Sequence, residues 1–360
     1  MMRRLSLLGT LLLFGFTGQA WPQAQRPTPP GTPAQRTPAQ QQNPPRIIVP
    51  TYTVIVPVTV KDDHGQLVGD LQKNDFRVFS DGVEQKIRQF SSEPIPLSAV
   101  VLIDNDLDQR QASQVQKSLT AISAGFGPPD EVAVVTYDQF PETVADFSFN
   151  NDHLFTQLKR LDLESHNSAV IADPTTAGPM MNGHQPVDTG RGIPQHGSKR
   201  YSNDNALDDA VFAASNMLKD RGRDRRKIIF LISDGTNAKN EHTFDQTLHS
   251  LLANDVAVYS ISVTHSLPIG KSLIQRGASE LEKYALNSGG DTFYASKQPE
   301  LERLYSDVTE QARNQYTLTF SPENIPKGQD FHEIEVRVER PGLNVETRRG
   351  FYLSAISAGH

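Results

Sequence analysis

Between residues 97 and 313, short runs of almost continuous apolar residues alternate with amphipathic segments of helical periodicity. Strands of this kind are buried on both faces, and they therefore need helices on both sides of a mostly parallel sheet. The pattern predicts a doubly wound α/β domain. The predicted strands are 98–103, 131–137, 227–233, 256–263 and 291–295, and the predicted helices are 109–124, 152–163, 204–219, 243–254, 279–287 and 299–313.

The segments on either side of this region change to a period of two, which is typical of half-buried antiparallel strands. Val54, Val56 and Val58 alternate with other residues before it, and Tyr316 and Leu318 alternate with threonines after it. Neither set is long enough for a sandwich of its own. We therefore predict one small all-β domain, 47–96 plus 314–355, with the α/β domain 97–313 inserted into it. The alternative is two separate small sheets.

The first 46 residues have the sequence features of a signal peptide followed by a linker. Residues 1–20 have a basic start, an apolar run too short to span a bilayer and a small-residue end, which predicts a signal peptide. Residues 21–46 are rich in Pro and Gln and have too few large apolar side chains to fold, so a disordered linker is expected. The sequence therefore predicts a secreted, periplasmic or cell-envelope protein.

Composition narrows the possible partners. The chain has no cysteine, so its domains must be stable without disulfides. The net charge of -7 comes with scattered Lys and Arg, which gives no footprint for nucleic acid. The basic cluster at 219–227 is interrupted by two aspartates and is interpreted as a solvated loop.

Oxygen-bearing side chains follow the predicted parallel strands at the points where ligands bind in open α/β sheets. Asp104, Asp106 and Asp108 come at the end of the first strand, Asp234 follows the strand at 227–233, and Asn205 precedes a helix. Carboxylates spaced in this way can converge on one hard divalent cation, Ca²⁺ or Mg²⁺.

This order of motifs resembles the von Willebrand factor A (VWA) family. The resemblance rests on the apolar strand ending in Asp104, the segment Ala-Leu-Asp-Asp-Ala at 206–210 and the segment Leu-Ile-Ser-Asp-Gly at 231–235. The flanking segments 60–65, 75–82 and 315–322 resemble exported members of that family from acidobacteria-like bacteria. The resemblance implies a protein-binding, adhesion-type module and no enzymatic activity.

The resemblance also implies a metal-ion-dependent adhesion site (MIDAS), which in the family is Asp-x-Ser-x-Ser with a later Thr and a later Asp. Asp104 and Asp234 keep the family's residue type, whereas Asp106 and Asp108 stand for the two serines and Asn205 stands for the threonine. Four carboxylates around one divalent cation give the site a net charge of about -2. At roughly 5 Å and an effective dielectric near 20, each extra charge opposes an arriving anion by about 3 kcal/mol. We therefore expect a protein partner that does not present an acidic residue.

Several alternatives remain open at this point. Asp106 and Asp108 are also suited to capping the helix at 109, Asn205 to capping its own helix, and Asp234 to a plain turn. A metal-independent scaffold of the cell envelope fits the same sequence. The Asp104-x-Asp106 pair also resembles the start of haloacid-dehalogenase-like phosphatases, but that family needs a downstream Lys and a further acidic pair, and the segment 231–237 supplies only one acid, Asp234. The long segment 164–203 is interpreted either as a determinant of partner specificity or as a surface insertion.

Overall fold

A computed structural model describes residues 52–163, 205–263, 275–295, 297–323 and 328–357, with the side chains of 275–279 outside the description. The predicted signal peptide 1–20, the linker 21–46 and the segment 164–203 lie outside the described residues. No helix within the described ranges is long and apolar enough to cross a membrane.

Two four-stranded antiparallel sheets are built from strands at both ends of the described chain. The amino-terminal strands are β1 (Val54–Lys61), β2 (Phe76–Ser80), β3 (Val83–Gln85) and β4 (Ile87–Ser91). The α/β elements are β5 (Leu97–Asp104), α1 (Gln109–Ser118), β6 (Glu131–Tyr137), β7 (Pro141–Ser148), α2 (Asn151–Arg160), α3 (Leu207–Leu218), β8 (Arg226–Ser233), α4 (Phe244–Ala253), β9 (Val256–Ser262), α5 (Gln275–Ser288), β10 (Thr292–Tyr294) and α6 (Gln298–Arg313). The carboxy-terminal elements are β11 (Tyr316–Phe320), β12 (Phe331–Val338), β13 (Asn344–Thr347), β14 (Gly350–Tyr352) and α7 (Leu353–Ser357).

The strand orders are β13-β1-β11-β4 in one antiparallel sheet and β14-β12-β2-β3 in the other. Each sheet therefore combines strands from both ends of the chain. Their valines, leucines and phenylalanines share one apolar cluster, which includes Val56, Val78, Leu318, Val336 and Phe351. Alternation of buried and exposed residues along β12 follows the expected period of two.

A six-stranded sheet with the order β10-β9-β8-β5-β6-β7 forms the α/β part. Its strands are parallel except β7, which pairs antiparallel with β6 at one edge. Every residue of β5, β6, β8 and β9 is buried, and separate apolar clusters cover the two faces of the sheet. The predicted fold class, a doubly wound mostly parallel sheet inserted in a small all-β part, is confirmed.

Local chemistry explains where the helices begin. Asp108 accepts hydrogen bonds from the backbone amides of Arg110 and Gln111, and the Gln111 side chain returns one to Asp108, so α1 starts with a capping box. Thr243 and Gln246 do the same for α4. The predicted helix 109–124 divides, because α1 ends at Ser118 and a 3₁₀ segment, Leu119–Gly125, follows it.

Two further features differ from the sequence-based predictions. Strand β7 was not predicted, because its edge position leaves most of its residues partly exposed and removes the apolar signal. The basic cluster 219–227 is not entirely a solvated loop, since Arg226 and Lys227 begin β8 with only 7% and 8% of their surface exposed.

Just before β10 the chain packs so closely against β9 that the position requires a glycine. A Cβ atom on Gly290 would lie 2.0 Å from the carbonyl oxygen of Val258, whereas one on Gly69 would meet nothing within 4 Å. We expect Gly290→Ala to lower the free energy of unfolding by about 1–3 kcal/mol, because the backbone of β9 must shift. Chemical denaturation with Gly69→Ala as control measures this, and equal effects of the two substitutions would contradict the packing argument.

Candidate functional site

The chain reverses its direction of winding between β5 and β8. From β5 the connections run to β6 and β7 on one side, and from β8 they run to β9 and β10 on the other. Adjacent strands of this kind leave a crevice beyond their carboxyl ends, which is where open α/β sheets bind ligands. Asp104 ends β5, and Asp234 directly follows β8.

The side chain of Asp104 is fully buried at the carboxyl end of β5. Its Oδ1 accepts hydrogen bonds from the Asp106 amide at 2.9 Å and from Asn205 Nδ2 at 3.2 Å. Its Oδ2 accepts one from Ser233 Oγ at 2.7 Å, and the Tyr137 hydroxyl lies 3.3 Å away. Both carboxylate oxygens are thus enclosed by donors from β6, β8 and the start of α3.

This enclosure does not remove the cost of burying a carboxylate. Burial, together with the negative charge of Asp234, raises the pKa of Asp104 to about 7. The hydrogen bonds from Asp106, Ser233 and Asn205 act in the opposite direction. Burial and the charge of Asp104 also raise the pKa of Tyr137 well above its ordinary value.

Ser233 and Tyr137 were not singled out from the sequence. The Tyr137 hydroxyl donates to Ser233 Oγ at 2.9 Å, and the Gly235 amide donates to the same oxygen. Both residues end parallel strands of the sheet. That position is the signal that identifies them, because the carboxyl ends of all parallel strands meet at one edge.

The structure brings some of the predicted site residues together and gives the others different roles. Asp104 and Asn205 are in hydrogen-bond contact, and Asp234 is close enough to influence Asp104 electrostatically. Asp234 Oδ1 accepts a hydrogen bond from the Thr236 amide. Asp106 contributes its backbone amide to Asp104, and the Asp108 carboxylate caps α1.

These donors can be tested for their fit to a divalent cation. The Oδ1 atom of Asn205 is buried without a hydrogen-bond partner among the described residues, and the amide nitrogen of the same side chain contacts the Asp104 carboxylate. Hard cations prefer such oxygen donors. Within the described ranges no group of three or more His, Cys, Asp or Glu is placed to hold a metal. The arrangement fits a site with two carboxylates and an amide oxygen better than one with four carboxylates.

The loops around the crevice are tied to one another. The Ala206 amide donates to the Asp138 carbonyl oxygen, which joins the β6–β7 turn to the start of α3. The amides of Ala238 and Lys239 donate to the carbonyl oxygen of Asn205, and Asn240 Oδ1 accepts from the Asp208 amide. The loop after β8 is therefore held against α3.

Asp208 and Asp209 complete this attachment from the first turn of α3. Asp208 accepts hydrogen bonds from the Tyr284 hydroxyl at 2.6 Å and from Asn237 Nδ2 at 3.0 Å, and burial raises its pKa. Asp209 accepts from the backbone amide of His242 and contacts the His242 ring. The acids of the segment 206–210 thus hold the rim of the crevice in place.

One aromatic side chain stands out on this rim. Phe140, in the β6–β7 turn next to Asp138, has 71% of its surface exposed. Phe149, at the other end of β7, is 58% exposed and lies under the guanidinium of Arg225. The two phenylalanines occupy opposite ends of one edge strand, so they offer a matched pair for experiments.

No family model matches the chain, and no curated protein matches it. Solved structures similar to it include proximal thread matrix protein 1 from the mussel byssus with a zinc-occupied MIDAS motif, at 13% identity, 61% coverage of this chain, 49% of that chain and a TM-score of 0.41. The chain thus spans about half the length of that protein. It is also similar to a von Willebrand factor type A protein from Catenulispora acidiphila at 10% identity. That match covers 81% of this chain and 78% of that chain, with a TM-score of 0.41. BatB from Bacteroides thetaiotaomicron is 10% identical, and the match covers 60% of this chain and 98% of that chain with a TM-score of 0.38.

The raised pKa of Asp104 predicts that the stability of the metal-free protein, measured with a chelator present, depends on pH. Between about pH 4 and pH 7, folded Asp104 holds a proton that unfolded Asp104 has lost, so its contribution to the free energy of unfolding falls as the pH rises. Asp234→Asn removes a charge that raises this pKa, and the fall should become shallower. Urea unfolding between pH 4 and pH 8 measures it, with the exposed Asp63→Asn as control. Parallel pH profiles for wild type and Asp234→Asn would contradict the coupling.

Proposed function

We propose that this chain is an exported protein-binding module whose binding surface is the carboxyl edge of the parallel sheet. The observation that carries the proposal is the grouping of polar side chains at this edge: Asn205 contacts Asp104, Asp234 is near enough to raise the pKa of Asp104, and Phe140 in the turn after β6 is 71% exposed. Exposed aromatic residues next to fixed polar groups are typical anchors of protein interfaces.

The attachment of the surrounding loops supports binding. The β6–β7 turn, the start of α3 and the loop after β8 are joined by hydrogen bonds, so little conformational freedom remains to be lost when a partner arrives. The likeness to exported bacterial VWA proteins in the sequence motifs agrees with this proposal. The predicted signal peptide and Pro-rich linker would place the folded part outside the cytoplasm, attached to or released from the envelope.

A binding role is also favoured over catalysis by the state of Asp104. The groups in hydrogen-bond contact with its carboxylate are the Asp106 amide and the neutral side chains of Asn205, Ser233 and Tyr137, and none of these is the cationic or acid–base partner that a nucleophilic carboxylate needs. We therefore propose no enzymatic activity for this edge of the sheet.

We further propose that Asp104, Asp234 and Asn205 hold one divalent cation, Ca²⁺ or Mg²⁺. When bound, the cation would supply an electrophilic centre for an oxygen atom of the partner. Asp106 and Asp108 on the same loop keep the surroundings negative, which disfavours an acidic ligand. We therefore propose a partner that presents a neutral or basic group.

The cation proposal is tested by calorimetric titration of the signal-free, metal-stripped chain with Ca²⁺ and Mg²⁺. We expect saturable binding in the wild type and in the exposed-acid control Asp245→Ala. Asp234→Ala and the double variant Asp104→Ala/Asp234→Ala should bind no cation. Binding to the folded state raises stability by about 2.7 kcal/mol at 100 times the dissociation constant, so thermal unfolding gives a second readout. Absence of binding in the wild type, or equal binding in Asp234→Ala, would overturn the metal proposal.

The binding surface is tested separately by site-specific photo-crosslinking. A benzophenone amino acid replaces Phe140 in one protein and Phe149 in the other, and both are exposed to an envelope extract of the source organism. We expect a discrete crosslinked protein from position 140 that Asp234→Ala weakens, and none of that size from position 149. The same product from both positions, or none from position 140, would contradict a binding surface at the crevice.

A further inference from the structure

A second candidate site lies at the opposite, amino-terminal edge of the parallel sheet. There a cavity of about 120 Å³ separates the starts of β8 and β9 from the antiparallel strands β1 and β11. Its wall is largely aliphatic and includes Ile55 and Pro57 of β1, Leu251 and Leu252 of α4 and Ala257 of β9. The cavity therefore sits between the two parts of the fold and far from the carboxyl edge.

Arg226, the first residue of β8, lines this cavity and is only 7% exposed. Its Nη2 donates hydrogen bonds to two neutral oxygens, the Gln315 carbonyl at 3.3 Å and Thr317 Oγ1 at 3.1 Å. Its Nε is buried and has no partner among the described residues. Burial lowers the pKa of Arg226 to about 10, as expected for a cation whose charge is not compensated.

Two more buried cationic side chains line the same cavity. Arg348 is 4% exposed, pairs with Asp255 at 2.5 Å and also has a buried Nε without a partner among the described residues. Lys227 is 8% exposed and donates to the backbone carbonyls of Lys219 and Asn254. Burial lowers the pKa of Lys227 as well.

The charges around the cavity do not balance. Asp255 is the one carboxylate among its described lining residues, and its side chain is 56% exposed. Three buried cations thus meet one acid that is already paired with Arg348. An ion taken out of water without a partner costs several kcal/mol, so buried charges in proteins are normally paired. The missing partner is an anion.

We propose that this cavity binds a small organic carboxylate with a short apolar body, the carboxylate accepting hydrogen bonds from Arg226 and Arg348. The apolar body contacts the aliphatic wall formed by Ile55, Leu251 and Leu252. A protein cavity of roughly 150 Å³ accepts benzene, so 120 Å³ suits a body of about five or six carbon atoms. A fully polar anion such as phosphate would leave that wall without contacts.

Thermal unfolding of the intact chain tests the proposal with three probes: hexanoate, hexanol and inorganic phosphate. Hexanoate should raise the melting temperature in a saturable way because it carries both the charge and the apolar body, and the other two should have little effect. Arg226→Met should weaken hexanoate binding about 10- to 100-fold, the usual range for a lost charged hydrogen bond. The exposed Arg337→Met is the matched control.

Arg226→Met has a second expected signature. Replacing a buried, unpaired cation with an apolar side chain of similar size commonly stabilises a protein, so the unliganded variant should melt at the same temperature as wild type or higher. An equal response to hexanol and hexanoate, a response to phosphate alone, no response to hexanoate, or unchanged hexanoate binding in Arg226→Met would each overturn the proposal.

A direct measurement does not depend on the folding of any variant. A crystal of the wild-type chain grown with 6-bromohexanoate should show anomalous scattering from bromine in the cavity between β1 and β9. Bromine at other positions only, or none in the crystal, would overturn the assignment. Because Arg226 and Asp104 lie at opposite edges of the sheet, this outcome is independent of the metal titration.

Discussion

The pairing of β1 with β11 is the contact on which the antiparallel part of the structure depends. It joins Val54 to Phe320 and Val58 to Tyr316, so segments more than 250 residues apart become neighbours in one sheet. β4 pairs with the other side of β11, which places Ser91 opposite Thr317. The chain therefore enters and leaves the α/β part at adjacent strands, and the buried carboxylate of Asp130 adds an ion pair to Arg313 at the exit.

Strand β8 carries opposite charges at its two ends. Strand β8 begins with the buried cations Arg226 and Lys227 and ends next to Asp234. At the carboxyl edge, hydrogen bonds from Ser233 and Asn205 surround the buried Asp104. At the amino edge, the guanidinium of Arg226 donates hydrogen bonds only to neutral oxygens among the described residues. Both edges thus contain buried charge that the described residues compensate incompletely, and both are places where a ligand would gain most from binding.

The sequence predicted the fold where one physical signal dominates. Continuous apolar runs mark strands buried on both faces, and the predicted strand 131–137 coincides with β6. β7 escaped prediction because an edge strand that packs on one side needs few apolar residues. The doubly wound order follows from the helices between the strands, whereas the pairing partner of each antiparallel strand depends on distant residues that local pattern does not encode.

The site was predictable only in part. The strand-end positions of Asp104 and Asp234 are enough to predict that both lie at the carboxyl edge of the sheet. For Asp108 the sequence allowed either a ligand or a cap, and Gln111 three residues later provides the reciprocal bond of a capping box. The sequence predicts a solvated loop for the basic cluster that contains Arg226, and the predicted strand 227–233 begins only at Lys227. The burial of both residues results from the antiparallel strands packed over the amino edge, which no local pattern around residue 226 indicates.

The position of β1 in the middle of its sheet has a consequence for the order of folding. Both neighbours of β1, strands β11 and β13, belong to the last 50 residues of the chain. During synthesis the amino end emerges first, so the valine-rich β1 has no partner until β11 and β13 have followed. The α/β part contains its own sheet pairings and can fold during that interval. An unpaired apolar strand is prone to associate with other chains, so β1 is the segment that most needs protection while the protein is being made.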